Sequence, residues 1–160
     1  ALKAGQVPEL DRPLDHGPEV DLQAAALIPE DYLPDVHSRL ILYKRIASAS
    51  TPHELDELQV EMIDRFGLLP EAAKTLFRVT ALKLLATPLG VKKIEVGAKG
   101  GRIVFGPQPQ INTLKLIALL QSQPQIYKLD GQEKLRFSAP ELANAEQRAT
   151  AAEALLQALI

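Results

Sequence analysis

A chain of 160 residues, 46% hydrophobic and 24% charged, carries enough apolar material for a real core, which argues against global disorder. Its net charge of −2 argues against a dedicated nucleic-acid binder, and no stretch approaches the ~20 consecutive apolar residues of a membrane span. With no cysteine there are no disulfides and no thiolate chemistry, which fits a reducing, cytoplasmic setting. The chain does not open on Met or on a signal-like segment, and it is expected to be a piece of a longer protein.

Residues 1–18, broken by Gly5, Pro8, Pro13, Gly17 and Pro18, read as a linker. Val20, Leu22, Ala24 and Ala26 then alternate with Asp21, Gln23 and Ala25, which predicts a strand ending at Pro29. From Asp35 the period becomes helical, with Asp35 or Ser38 as cap and Val36, Leu40, Tyr43 and Ile46 or Ala47 as the apolar stripe. Thr51, Pro52 and Glu54 form a capping box that opens a second helix, which runs to Phe66 and stops at Gly67. A third helix starts at Pro70, buries Leu76, Phe77, Ala81, Leu84 and Leu85, and ends at Pro88 or Gly90.

The period then becomes two. Residues 91–106 predict a hairpin turning at Lys99-Gly100-Gly101, with Ile94, Val96, Ile103 and Phe105 as its apolar part. A helix over roughly 110–122 carries Leu114, Ile117 and Ala118, and a second hairpin turns at Asp130-Gly131. The terminal helix, about 141–160, has a seam of Leu142, Ala145, Ala149, Ala152, Leu156 and Leu159, which should pack on its own domain. Helices followed by hairpins predict an α+β fold: several helices packed on a small, mostly antiparallel sheet built from hairpins.

Catalytic motifs do not emerge. There is no phosphate-binding GxxxxGK[ST], GxGxxG or GxSxG, and GAKGGR lies in a hairpin, where its glycines serve the turn. His16, His37 and His53 are far apart and fit no metal-ligand spacing, so neither metal nor cofactor is expected.

Two charge patterns remain. Glu54, Glu57, Glu61 and Asp64 are spaced 3, 4 and 3 and share one side of the second helix, away from Leu55, Leu58, Met62 and Phe66. Such a stripe is either a solvated face or a docking surface for a basic partner. Between Lys74 and Arg102, seven cations (Lys74, Arg78, Lys83, Lys92, Lys93, Lys99 and Arg102) stand against Glu95, a local sum of +7 − 1 = +6. Phosphate contact is one reading of that run and a solubilising surface the other, since Phe77 and Phe105 sit at core-like positions and offer no stacking platform.

The stretch LIPEDYLPDVHSRLILYKRIASA followed by ELDELQVEMIDRFGLLPEAAKTL resembles the C-terminal domain of the bacterial transcription-repair coupling factors. The prolines around Tyr32, YKRI at 43–46 and DRFG-x-LP at 64–70 carry the likeness, which runs from about 19 to 138. The resemblance implies a cytoplasmic parent that is an ATP-driven DNA translocase, displaces stalled RNA polymerase and recruits excision repair. The ATPase motifs would lie upstream, so this chain would not be an enzyme. Residues 1–18 would be the linker from the translocase motor, and 19–160 a regulatory domain.

That domain would pack on the N-terminal repair-helicase-like module and mask the surface that binds the damage-recognition repair protein. RNA polymerase and DNA would be indirect partners, with no membrane involved. Glu61 and Asp64 match the family's acidic positions and would make the contact, extended by Glu57 and Glu54, while Arg65 and Phe66 are assigned to structure. The alternative is direct DNA or RNA polymerase contact through the basic 74–102 region.

Overall fold

The computed structural model describes residues 17–160. Apart from Gly17 and Pro18, the linker expected over 1–18 lies outside them, as does His16. The architecture is α+β, and the described chain forms two compact units, one of residues 25–84 and one of residues 18–24 and 85–160.

The first unit holds three helices: α1 (Val36–Ser48), α2 (Pro52–Phe66) and α3 (Glu71–Ala86), the last of which runs on into the second unit. Asp35 caps α1, accepting hydrogen bonds from the backbone N of Ser38 at 3.0 Å and from its hydroxyl at 2.6 Å. The predicted stripe on this helix needs correction. Leu42 and Ile46 are buried, whereas Val36 and Leu40 are exposed. Leu40-Ile41-Leu42 put apolar side chains on three successive sides, so periodicity alone did not select the inward one. The selection comes from packing on Ile28 and Leu33, and from the Tyr43 hydroxyl, which accepts the Ile28 backbone N–H at 2.8 Å.

Thr51 caps α2 by accepting the Glu54 N–H at 3.2 Å, and Leu55, Leu58 and Met62 form its buried row. Gly67 ends the helix at φ +103° and donates its N–H to Ile63 O at 3.0 Å. Helix α3 contributes Ala73, Leu76 and Phe77 to the same core, with Ala81 and Leu84 half-buried against it. Val79, Leu82 and Ala86 are buried as well, so α3 is apolar on more sides than the single predicted face.

The second unit is built on a five-stranded sheet of order β1-β2-β3-β5-β4, with β1 (Glu19–Asp21), β2 (Val91–Gly97), β3 (Gly100–Phe105), β4 (Tyr127–Leu129) and β5 (Lys134–Ser138). Strand β1 runs parallel to β2, and every other pairing is antiparallel. The first strand stops well short of the predicted Pro29. Gln23 turns to φ +55° and donates its N–H to the Asp21 carboxylate at 2.8 Å, a side-chain-closed turn that takes the chain out of the sheet.

The first hairpin also differs from expectation. Gly97 pairs with Gly100, so Ala98-Lys99 is the turn, and Gly100 and Gly101 lie within β3. They are glycines because of close approach: a Cβ on Gly101 would lie 2.1 Å from Glu95 O, and one on Gly100 2.2 Å from Phe137 O. The second hairpin is joined by residues 130–133, with Gly131 at φ +78°.

Helix α4 (Thr113–Ser122), capped by Asn112, buries none of its residues, and Leu114 is 78% exposed. Helix α5 (Ala145–Ala158) starts at an Asn144 cap, a few residues after the expected position, and packs on β2. Four of its six predicted seam residues point inward: Ala149, Ala152, Leu156 and Leu159 are fully buried, as are Ile94, Val96, Ile103 and Leu135 of the sheet, whereas Ala145 is half-buried and Leu142, also half-buried, precedes the helix. The Arg148 guanidinium donates to Leu22 O and Leu142 O at 3.0 Å each, holding the segment after β1 to the start of α5.

Candidate functional site

The acidic row of α2 is not a set of four equivalent carboxylates. Glu61 is the most engaged. Arg45 of α1 grips it with both terminal guanidinium nitrogens, Nη1 and Nη2, at 2.7 and 2.8 Å, and Arg65, one turn further along α2, adds a contact at 3.2 Å. The fork-to-fork geometry suits a planar guanidinium on a carboxylate. Hydrogen bonding from Arg45, reinforced by the positive charges of Arg45 and Arg65, lowers the Glu61 pKa from 4.5 to about 2.

Glu54 is tied into the helix start. Its carboxylate accepts the Ser50 backbone N–H and hydroxyl at 3.0 Å each, one residue further back than a standard capping box reaches. Those bonds lower its pKa. Glu57 lies 3.4 Å from the His53 imidazole, and both side chains are largely exposed. Asp64 is exposed and makes no ion pair with a described residue. The predicted stripe therefore holds one anchored carboxylate, one capping carboxylate and two, Glu57 and Asp64, that face solvent.

An open groove of about 520 Å³ runs between α1 and α2, lined by Arg45, Ser48, Ala49, Glu54, Glu57, Leu58 and Glu61. Ala49 and Leu58 supply apolar surface, and the three glutamates supply charge. The end of the stripe is braced from the proline-flanked loop. The Tyr32 hydroxyl donates to Gly67 O at 2.7 Å, and its ring meets Phe66 edge-on, with centroids 6.1 Å apart. The Arg65 guanidinium carbon stacks 4.8 Å above the same Phe66 ring. Phe66 and Arg65 thus have the structural places expected of them. Arg45 was not singled out in sequence. Its signal was its place in YKRI, but nothing local ties it to a carboxylate sixteen residues away.

The basic run from 74 to 102 does not form one patch within either unit. Lys74, Arg78 and Lys83 belong to α3 in the first unit, while Lys92, Lys93, Lys99 and Arg102 belong to the second. Lys74 pairs with Glu71 at 3.8 Å. Arg102 and Lys93 converge on Glu95, at 2.6 and 3.6 Å, and so lower its pKa. Lys92 and Lys99 are exposed.

Among the described residues no group of three or more His, Asp or Glu is placed to hold a metal ion, and no helix is long and apolar enough to cross a membrane.

The TRCF domain family model matches residues 22–116. The transcription-repair-coupling factor of Escherichia coli K12 is 50% identical over 137 residues, covering 86% of this chain and 12% of that protein. That of Myxococcus xanthus is 34% identical over 142 residues, covering 89% of this chain and 12% of that protein. The chain thus spans about an eighth of the length of these relatives. A crystal structure of the C-terminal domain of a transcription-repair coupling factor superposes with a TM-score of 0.68 at 23% identity, covering 89% of this chain and 94% of the other, which establishes the shared fold. With the family model matching over half of its length and such identity to curated members, the chain belongs to the TRCF domain family, that of the transcription-repair-coupling factors.

Proposed function

We propose that this chain is a non-catalytic, autoinhibitory domain of a cytoplasmic, ATP-driven DNA translocase that displaces stalled RNA polymerase and recruits excision repair. In this reading it packs, through the acidic flank of α2, on the N-terminal repair-helicase-like module of the same protein. There it masks the surface that takes the damage-recognition repair protein, until the motor engages and the contact opens.

The observation that supports this reading is the state of the carboxylates. Glu57 and Asp64 are solvent-facing, and Glu61 is fixed between them by Arg45 and kept ionised. A partner's Lys or Arg entering the groove would lay its aliphatic stem on Ala49 and Leu58 and bring its charge to Glu57 and Glu61. Because exposed ion pairs are individually weak, the contact can open during function. Glu54, held by the cap, extends the negative field at the far end of the stripe.

The test is binding of this chain to the separate N-terminal module at moderate salt, beside a Glu61→Lys/Asp64→Lys variant. Wild-type binding that the variant loses is the expected result. The reading fails if the two bind equally. Because a lysine in place of Glu61 would face Arg45 and Arg65, a Glu57→Lys/Asp64→Lys variant is measured alongside, leaving the internal ion pair intact.

A further inference from the structure

The open side of the sheet carries a charge arrangement that only the strand register reveals. Along one row, Glu95 of β2 faces Arg102 of β3, Arg102 faces Arg136 of β5, and Arg136 faces Lys128 of β4. Lys134, two residues before Arg136, faces Val104 in the next row. Strand alternation puts all of these opposite to Ile103 and Leu135, which are fully buried in the core. Strands β3, β4 and β5 contribute four cations and no carboxylate.

Three like charges side by side in a sheet destabilise it. Compensation from within the unit is incomplete. Glu95 takes Arg102 at 2.6 Å, and Asp130 reaches Arg136 only at 3.9 Å. Lys128, which is exposed, and Lys134 make no ion pair with a described residue. Neighbouring strands lie about 4.8 Å apart, and positions i and i+2 about 6.8 Å apart, so the backbone attachment points of these side chains are close together.

We propose that Lys128, Lys134 and Arg136, on the open face of β4 and β5, bind the sugar–phosphate backbone of duplex nucleic acid. Two observations select that partner. The face offers no large apolar anchor, since Val104 is its only apolar residue on β3 and is half-buried, whereas protein interfaces draw their affinity from buried anchors. It also offers no aromatic platform, because Tyr127 and Phe137 pair with each other on the opposite side. Bases of a single strand would have nothing to stack on, and phosphate charge is what remains to be read. Arg102, neutralised by Glu95, borders the site without adding a full contact. This surface is independent of the α2 flank, and it meets the 74–102 run only at Lys93 and Arg102, which border it and share Glu95.

The test is anisotropy of a labelled duplex of about 20 base pairs titrated with the whole chain between about 50 and 200 mM salt. Three phosphate contacts give a slope of log affinity against log salt of about −2.7, and Lys128→Gln/Arg136→Gln reduces it to about −1. The charge-reversed pair Lys128→Glu/Arg136→Glu is expected to weaken binding at the lowest salt at least about tenfold, with the melting temperature maintained because both residues are exposed. Absence of binding at the lowest salt overturns the proposal. So does a slope unchanged in the neutralised variant, or a loss seen instead with Lys92→Gln/Lys99→Gln, at two exposed lysines outside this row. Tighter binding of a polyglutamate peptide to the same residues would also overturn it, reassigning the face to an acidic protein segment.

Discussion

Replacing Arg45 by Met keeps the length and apolar stem of the side chain and removes the guanidinium that grips Glu61 at 2.7 and 2.8 Å. The consequence can be followed at one carbon atom. In the native protein Glu61 titrates at about 2 rather than 4.5, with hydrogen bonding from Arg45 the largest cause and Arg65, at 3.2 Å, a lesser one. In Arg45→Met only Arg65 remains, so the midpoint should return most of the way to 4.5. In Arg65→Met, with Arg45 retained, it should stay close to the native value.

The sign for stability follows. Because folding lowers this pKa, the contribution of Glu61 is fully present above 4.5 and is lost as the pH falls from 4.5 to about 2. The difference in melting temperature between wild type and Arg45→Met should therefore be largest above pH 4.5 and shrink across that window. Side-chain carboxyl resonances followed by NMR read the midpoint directly. A wild-type Glu61 that titrates at its ordinary value, or one that titrates alike in both proteins, would refute the ion pair as the cause.

Three further outcomes are expected from chemical denaturation. Gly101→Ala puts a Cβ against Glu95 O and Val96 Cα, backbone atoms that cannot swing aside, so overpacking of about 1–3 kcal/mol is expected, with a separated β2–β3 pairing visible in amide exchange. Tyr43→Phe strands the Ile28 N–H, which should cost about 1–3 kcal/mol, and a cost within error of zero would mean that water replaces the hydroxyl. Leu156→Ala empties a fully buried site in the α5 seam, with an expected loss of about 2–5 kcal/mol, whereas Leu114→Ala on the exposed α4 should change stability little.

Element types were legible where the local code is strong. The Thr51-Pro52-Glu54 start and Gly67 stop of α2, the Asp35 cap and both hairpins are short-range signals, and the structure has them. Faces and ends were harder. Leu40, Ile41 and Leu42 are near-equivalent by hydrophobicity, and only tertiary packing decides that Leu42 goes inward. The end of β1 turns on a side-chain bond within Asp21–Gln23, invisible to alternation. The Gly100-Gly101 pair looked like turn chemistry, yet it answers to backbone approach from β2 and β5.

The same division holds at the site. The acidic row was readable from 3 and 4 spacing, while its inequality, with Glu61 anchored and Asp64 free of described partners, depends on Arg45 from another helix. The cationic row across β3, β5 and β4 needs the register of three strands, which no linear window contains.

The parallel pairing of β1 with β2 bears on the order in which a growing chain can fold. Residues 25–84 are contiguous, so their core can close as soon as they have all emerged from the ribosome. Residues 18–24, made earlier, must wait for β2, some seventy residues later, and for α5 beyond it, because Val20 pairs with Ile94 and Leu22 O takes the Arg148 guanidinium. During synthesis the segment that leads into this domain is thus made first but fastened only after the residues 25–84 that follow it. Until Arg148 has been added, any tension on the upstream chain reaches a strand whose final clasp does not yet exist.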